Sequence, residues 1–160
     1  MMDIKNTAKL ILSVLVCQAA GLIGSFFTAP AIATWYADLI KPEFNPPSWL
    51  FAPVWIILYT LMGVSLYLIL KEDLSDKKIR FAVYVFAFQL TLNAAWSFLF
   101  FGLKNPFLAF LEILILWVAI IVTIRKFYAV SKNAGILLLP YLLWVSFAAI
   151  LNFSIWILNM

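Results

Sequence analysis

The chain has 160 residues, of which 66% are hydrophobic and 11% charged, and its mean hydropathy is +1.07. A soluble domain carries about a quarter charged residues, so this composition excludes a soluble globular enzyme, a disordered chain and, despite a net charge of +4, a nucleic-acid-binding module. Because the chain has no histidine and one cysteine, Cys17, we predict no intrachain disulfide, no metal site and no axial haem ligation by histidine.

The charged residues divide the chain into five long apolar segments. A helix needs roughly 20 apolar residues to cross a hydrocarbon layer about 30 Å thick. Open strands are excluded, because their backbone N–H and C=O groups would find no water to bind in that layer. Each segment meets this length. We therefore predict an all-α fold, an integral membrane bundle of five transmembrane helices that forms a single domain over residues 1–160. The predicted helices cover residues 8–28, 50–70, 81–102, 107–128 and 135–157.

The first predicted helix contains a small-residue face. Gly21, Gly24 and Ser25 suit close packing against another helix. Lys5 and Lys9 before an apolar stretch imitate a signal peptide, but the stretch is longer than the usual apolar region of about 7–15 residues. We therefore expect it to be kept as a membrane helix.

The first connection, residues 29–49, is the longest and contains four prolines. Proline restricts its own backbone and that of the preceding residue, so we expect an ordered segment. Long ordered loops are often functional, and we predict a lid over the bundle. The candidate lid residues are Trp35, Tyr36, Pro42, Pro47 and Trp49.

The basic residues predict an orientation. The N-terminus and the second and fourth connections together carry nine Lys and Arg residues, whereas the other side has only Lys41 and Lys104. By the positive-inside rule, we expect the N-terminus in the cytoplasm and the C-terminus on the opposite side of the membrane.

Aromatic and polar side chains recur at helical spacing on three predicted helices. They are Trp55, Tyr59 and Met62 on the second; Gln89, Asn93, Trp96 and Phe100 on the third; and Tyr141, Trp144, Ala148 and Asn152 on the fifth. Polar groups are costly in hydrocarbon and often mark function, so we interpret these faces as the walls of a ligand cavity. The alternative is structural: amides that only join helices and rings that anchor at the membrane interface.

Glu112 is the one acidic residue inside a predicted span. It lies near the start of the fourth helix, where the helix dipole and the interface favour a negative charge. A proton relay is the alternative, although transport pathways usually show several ionisable groups or broken helices. We expect Cys17 to be a small packing residue, and Pro53 and Pro140 to lie in first helical turns.

Several motifs occur in order along nearly the whole chain. They are Trp35-Tyr36, Lys41-Pro42, Pro46-Pro47-x-Trp49 and Pro53-Val54-Trp55-x-x-x-Tyr59, then Gln89-x-x-x-Asn93-x-x-Trp96-x-x-x-Phe100-Phe101, and finally Pro140-Tyr141-x-x-Trp144-x-x-Phe147-Ala148-x-x-Leu151-Asn152. Together they resemble the TspO/MBR family, which includes translocator and tryptophan-rich sensory proteins. The resemblance implies a five-helix bundle in a membrane, here expected to be that of a bacterial cell, with the first loop over a pocket.

The resemblance also implies a receptor or sensor that binds porphyrins, including protoporphyrin and haem, and related flat apolar ligands, with no cofactor required. Lipids and drug-like molecules are further expected partners. We expect rings to pack on the ligand, and Asn93 and the indole N–H of Trp55 to form hydrogen bonds with it. The full set of expected ligand-binding residues is Trp55, Tyr59, Gln89, Asn93, Trp96, Phe100, Tyr141, Trp144, Ala148 and Asn152.

Two other functions stay open at this point. The first is a light- and oxygen-dependent porphyrin-degrading enzyme, for which the resemblance implies Trp55 and Trp144 as the catalytic residues. The second is an accessory protein for tetrapyrrole or lipid transport.

The chain departs from the family pattern in two places. No cation follows the end of the fifth helix, so the weak sterol-recognition pattern is absent. Tyr84 and Phe88 occupy the stretch where a glycine-spaced dimer motif is expected on the third helix. A homodimer through another face stays open.

Overall fold

A computed structural model describes residues 4–160, which contain helices and no strand. The helices are α1 (Ile4–Ile32), α2 (Trp35–Asp38), α3 (Phe51–Leu70), α4 (Lys77–Ser97), α5 (Pro106–Val130), α6 (Lys132–Leu137) and α7 (Leu139–Leu158). Five stretches are long and apolar enough to cross a membrane: Ile4–Ile32, Ser48–Leu70, Lys77–Gly102, Pro106–Val130 and Lys132–Leu158. The predicted all-α bundle of five spans is therefore confirmed. Residues 1–3 of the predicted domain lie outside the described residues.

The spans form a closed ring. Helix α1 packs against α3 and α4, α4 packs against α5, α5 packs against α6 and α7, and α6 returns to α3. Apolar contact with lipid does not drive such helices together, so close packing of small residues matters. Gly63 provides one such contact, since a Cβ atom there would lie only 2.5 Å from Cα of Val14. Gly135 provides another, with 2.6 Å to Cβ of Tyr128.

Hydrogen bonds also join the spans inside the apolar region. The Ser65 hydroxyl donates to the carbonyl oxygen of Ala134 at 2.7 Å, which joins α3 to α6. The indole N–H of Trp117 donates to the Ser146 hydroxyl at 2.8 Å, which joins α5 to α7. Because neither hydroxyl has water nearby in hydrocarbon, each bond satisfies a group that would otherwise be costly to bury.

One end of the bundle gathers the basic connections. The Lys9 ammonium donates to the carbonyl oxygen of Leu70 at 2.9 Å, so the start of α1 meets the end of α3. Such a contact also places a cation at the negative end of the α3 dipole. The α3–α4 and α5–α6 connections lie at this same end, opposite the lid. Which compartment this end faces stays a prediction from the charge distribution.

The helix ends differ from the predicted ones because charge marks the membrane boundary, whereas capping groups mark the helix boundary. Helix α4 begins at Lys77 rather than at residue 81, and the Asp76 carboxylate accepts a hydrogen bond from the backbone of Lys78 at 2.7 Å. Helix α1 runs to Ile32 and includes Pro30, so the predicted lid start at residue 29 is wrong. Proline removes one backbone bond, but only two residues of α1 follow it.

The fifth span is interrupted, although a single helix over 135–157 was predicted. Helix α6 starts at Lys132 and ends before Leu138, and α7 then carries Pro140 in its first turn. Proline has no backbone N–H to donate, so it interrupts a helix interior but fits a first turn. The predicted first-turn position of Pro140 is confirmed.

The third span ends in a wide helical turn over Phe98–Gly102. The backbone N–H of Leu103 donates to the carbonyl oxygen of Phe98 at 2.8 Å, a five-residue separation instead of the usual four. Lys104 then adopts a positive φ of 53°, and the side chain of Asn105 caps α5. This turn lies beside the lid and positions the rings of Phe100 and Phe101.

Candidate functional site

The bundle encloses a cavity of about 370 Å³ in the half that lies under the lid. Helices α1, α3, α4, α5 and α7 all contribute walls. Eight of the ten expected ligand-binding residues line it: Trp55, Tyr59, Asn93, Trp96, Phe100, Trp144, Ala148 and Asn152. The other two, Gln89 and Tyr141, are buried among the helices and do not reach the cavity surface.

Stacked rings make up much of the wall. Trp55 stacks on Tyr59 with ring centroids 5.3 Å apart, and Trp96 stacks on Phe100 at 5.0 Å. Each pair is four residues apart, so its members lie one above the other on the same helix face. The ring of Trp144 meets Phe51 edge to face at 6.1 Å. The wall therefore presents flat apolar surfaces fixed by ring contacts.

A chain of buried hydrogen bonds continues from the cavity wall into the core. The Tyr59 hydroxyl donates to Oδ1 of Asn93, and Nδ2 of Asn93 donates to the Tyr141 hydroxyl at 3.0 Å. The Tyr141 hydroxyl donates in turn to Oε1 of Gln89 at 2.9 Å. Both ends of the Asn93 amide therefore hold a protein partner. The chain joins α3, α4 and α7 in one arrangement.

The tryptophans of the cavity differ in what their indole N–H groups bind. The N–H of Trp96 donates to Oδ1 of Asn152 at 3.0 Å, and Nδ2 of Asn152 donates to the carbonyl oxygen of Pro106 at 2.8 Å. The N–H groups of Trp55 and Trp144 have no hydrogen-bond partner within residues 4–160. Two tryptophans that line the cavity thus carry an unused indole donor.

The lid is held to the bundle by polar and aromatic contacts. The Asn159 side chain accepts from the backbone N–H of Ile40 at 3.0 Å and donates to its carbonyl oxygen at 2.9 Å, which joins the lid to the end of α7. Tyr36 forms part of the cavity roof, and its hydroxyl donates to Oδ1 of Asn45 at 2.8 Å. Burial raises the pKa of Tyr36 above its ordinary value, which keeps the phenol neutral as a donor.

The other expected lid residues do not line the cavity. The Trp35 ring packs against Phe100 with centroids 5.5 Å apart and so supports the wall from outside. Trp49 is 72% exposed, which fits an interfacial anchor. Pro47 has an extended backbone, and the carbonyl oxygen of Pro42 accepts from the backbone N–H of Asn45 at 2.9 Å. Both prolines limit the backbone freedom of the lid.

Sequence reasoning missed the wall that α1 provides. Gln18, Gly21, Gly24, Ser25 and Thr28 all line the cavity, whereas the small residues suggested only helix packing. The small residues also allow close helix packing, since a Cβ atom at Gly21 would lie 2.4 Å from the Tyr59 ring. The missed signal was Gln18, an amide in an uncharged span, three residues before the first of these glycines.

Two further residues lie away from the cavity surface. Cys17 is fully buried in the core, as expected of a packing residue. Glu112 is also buried, and neither of its carboxyl oxygens has a hydrogen-bond partner in the described part of the chain. It lies in the second turn of α5, beyond the first turn where the helix dipole acts, so the dipole alone does not account for it.

Comparison with known proteins identifies relatives over almost the full length. The TspO/MBR family profile matches residues 13–157. The chain is 44% identical over 155 residues to the tryptophan-rich protein TspO of Chlorobaculum tepidum, which covers 97% of this chain and 98% of that protein. It is 46% identical over 155 residues to the tryptophan-rich protein TspO of Archaeoglobus fulgidus, with 96% and 99% covered. It is 39% identical over 143 residues to the translocator protein of Ovis aries, with 89% and 85% covered.

We predict that the substitution Asn93→Leu destabilises the bundle by about 1–3 kcal/mol, because it leaves the buried Tyr59 hydroxyl without a partner and removes the bond that the Tyr141 hydroxyl accepts. Thermal unfolding in detergent measures the effect. Thr91→Ala is the matched control, since Thr91 lies exposed on the same helix and its hydroxyl donates to the carbonyl oxygen of Ala87, one turn earlier in that helix. Equal melting temperatures for Asn93→Leu and Thr91→Ala would contradict the structural role of the chain.

Proposed function

The chain belongs to the TspO/MBR family of integral membrane proteins, and on that premise we propose that its cavity binds porphyrins, including protoporphyrin and haem, and related flat apolar ligands. The protein then serves as a membrane receptor or sensor for these molecules. The observation that carries the proposal is the pair of unpartnered indole N–H groups, on Trp55 and Trp144, in an aromatic and otherwise largely apolar cavity.

The chemistry of a porphyrin matches this cavity in two respects. Its flat ring is complementary to the stacked pairs Trp55–Tyr59 and Trp96–Phe100. Its carboxylates accept hydrogen bonds, which the two unused indole donors can supply. The cavity also falls within the volume range of small-molecule sites, about 300–1,000 Å³. Since the chain has no histidine, packing and hydrogen bonds hold the ligand, and no further cofactor is needed.

The structure changes the expected role of Asn93. Both ends of its amide are engaged by Tyr59 and Tyr141, so we assign it to positioning the aromatic wall. Trp144 takes the place of Asn93 as the second hydrogen-bond donor to the ligand. By the charge distribution, the lid covers the cavity on the side of the membrane away from the cytoplasm.

Replacing both Trp55 and Trp144 by Phe tests the proposal. Phenylalanine keeps an aromatic ring and removes the indole N–H, so we expect the Kd for protoporphyrin to rise about tenfold for two lost hydrogen bonds of about 0.5–1.5 kcal/mol each. The shift of the Soret absorption band on titration measures the Kd.

The control for this test is Trp117→Phe, because Trp117 lies outside the cavity and donates to Ser146. It should bind like the wild type. If the double variant also binds with wild-type affinity, the assignment of the two donors is wrong. If the wild type itself does not bind protoporphyrin, the proposed function is wrong.

A second candidate function is light- and oxygen-dependent porphyrin breakdown, and the ring contacts of Trp55 favour it. Trp55 lies 5.3 Å from Tyr59 and 6.3 Å from Tyr141, measured between ring centroids. Both phenols are hydrogen-bonded to Asn93. An indole beside two hydrogen-bonded phenols is a readily oxidised group next to the ligand, with dioxygen as the oxidant.

Under illumination in air, we expect the Soret band of bound protoporphyrin to decay faster with the wild type than with Trp55→Phe, because the oxidisable indole beside the ligand is gone. The rate with Trp117→Phe should match the wild type, and removal of oxygen should stop the decay. Equal decay rates for wild type and Trp55→Phe, compared at equal amounts of bound porphyrin, would eliminate this role for Trp55.

A further inference from the structure

Two rows of residues line the cavity and are also exposed on the outside of the bundle. One row lies on α1 and the other on α3 and the turn before it. They are Leu22, Ser25 and Ala29 in the first row and Ser48, Ala52 and Ile56 in the second. Spacings of three and four residues place each row on one helix face. Leu22 is 70% exposed and Ile56 is 57% exposed, so the cavity reaches the outer surface at these side chains.

The helices α1 and α3 are in close contact below these rows. Gly63 lets the α1 backbone at Val14 approach α3 closely. One turn higher, Nε2 of Gln18 donates to the carbonyl oxygen of Ile56 and to the hydroxyl of Thr60, each at 3.0 Å. Gln18 lines the lower edge of the cavity and, within the described residues, is the polar link between the two helices that lies nearest the two rows. Beyond it, toward the lid, the two rows form the edges of an opening that we call the α1–α3 slit.

The other boundaries of the cavity are closed. The lining residues of α4, α5 and α7 are all buried or half-buried. The roof is fixed by the two hydrogen bonds between Asn159 and Ile40 and by the bond from Tyr36 to Asn45. Passage of a ligand through the roof requires these contacts to break. In contrast, no hydrogen bond joins the two rows of the slit within the described residues, so passage through the slit breaks none between them.

We propose that the α1–α3 slit is a lateral portal through which the apolar ligand enters and leaves the cavity directly from the membrane hydrocarbon. This inference rests on the proposed ligand-binding function. Both rows lie on membrane-spanning segments, so their exposed sides face lipid. The flat apolar ring of the ligand dissolves in hydrocarbon, and movement through the slit keeps that ring out of water. The lid then works as a fixed roof.

Bulky substitutions at the slit test the proposal. Leu22→Trp and Ile56→Trp narrow the opening, while Ile23→Trp and Ile57→Trp are matched controls at adjacent residues that are 57% and 59% exposed and do not line the cavity. Each protein is placed as a single copy in a lipid nanodisc and mixed rapidly with protoporphyrin. The time course of the Soret band gives the association and dissociation rate constants.

We expect both rate constants to fall at least fivefold in Leu22→Trp and Ile56→Trp, with Kd within twofold of the wild type, because a narrowed portal raises the barrier in both directions. The controls should keep wild-type rates. Unchanged rates in both slit variants, or a raised Kd with an unchanged association rate, would overturn the portal. Should the Trp variants fail to fold, Ala52→Phe provides the same test.

A second measurement separates the membrane route from the aqueous route. In the first comparison, empty nanodiscs or vesicles of the same lipid are added while the protoporphyrin and protein concentrations stay fixed. In the second, the association rate of the Asn159→Ala variant is measured beside that of the wild type. We expect the association rate to follow the amount of protoporphyrin per lipid, and to be the same in Asn159→Ala as in the wild type. Faster association on loosening the lid in this way would overturn the portal. Absence of binding by the wild type would instead contradict the proposed function.

Discussion

The hydrocarbon layer offers no hydrogen-bond partner, so a polar group inside the bundle is costly to bury unless it binds another protein group or a ligand. This constraint divides the polar residues in and behind the cavity wall into two sets. Tyr59, Asn93 and Tyr141 satisfy one another within the protein, and Trp96 is bound by Asn152. Trp55 and Trp144 keep free N–H groups. The first set fixes the shape of the cavity, and the second is available for recognition.

The same constraint explains why the cavity has one weak side. Buried hydrogen bonds join α3, α4 and α7 through the Asn93 amide, and these helices cannot separate without leaving polar groups unpaired. Helix α1 contributes small residues at the cavity, with Gln18 as its polar link to α3. Between Gln18 and the lid, no hydrogen bond within the described residues joins the two rows of the slit, so this part of the wall can separate at lower cost. Ligand recognition and ligand entry are therefore assigned to different sides of the same cavity.

The sequence predicted the five spans well, because charges are too costly to place in hydrocarbon and so mark its limits. Helical spacing also brought most expected residues to the cavity, but it predicts the direction of a side chain and not its depth, which is why Gln89 and Tyr141 lie behind the wall. Gly21 and Ser25 carry no chemistry that distinguishes a cavity wall from a packing face. The continuation of α1 past Pro30 depended on local hydrogen bonding that composition does not show.

The central claim is that the ligand binds the indole N–H groups that the protein leaves free. Nuclear magnetic resonance of the ¹⁵N-labelled indole groups, recorded with and without protoporphyrin, tests it most directly, with each signal assigned by a single Trp→Phe variant. We expect the Trp55 and Trp144 N–H signals to move strongly downfield on binding, because each gains a hydrogen bond, while the Trp117 signal stays in place. Binding that leaves the Trp55 and Trp144 signals unchanged would contradict the account.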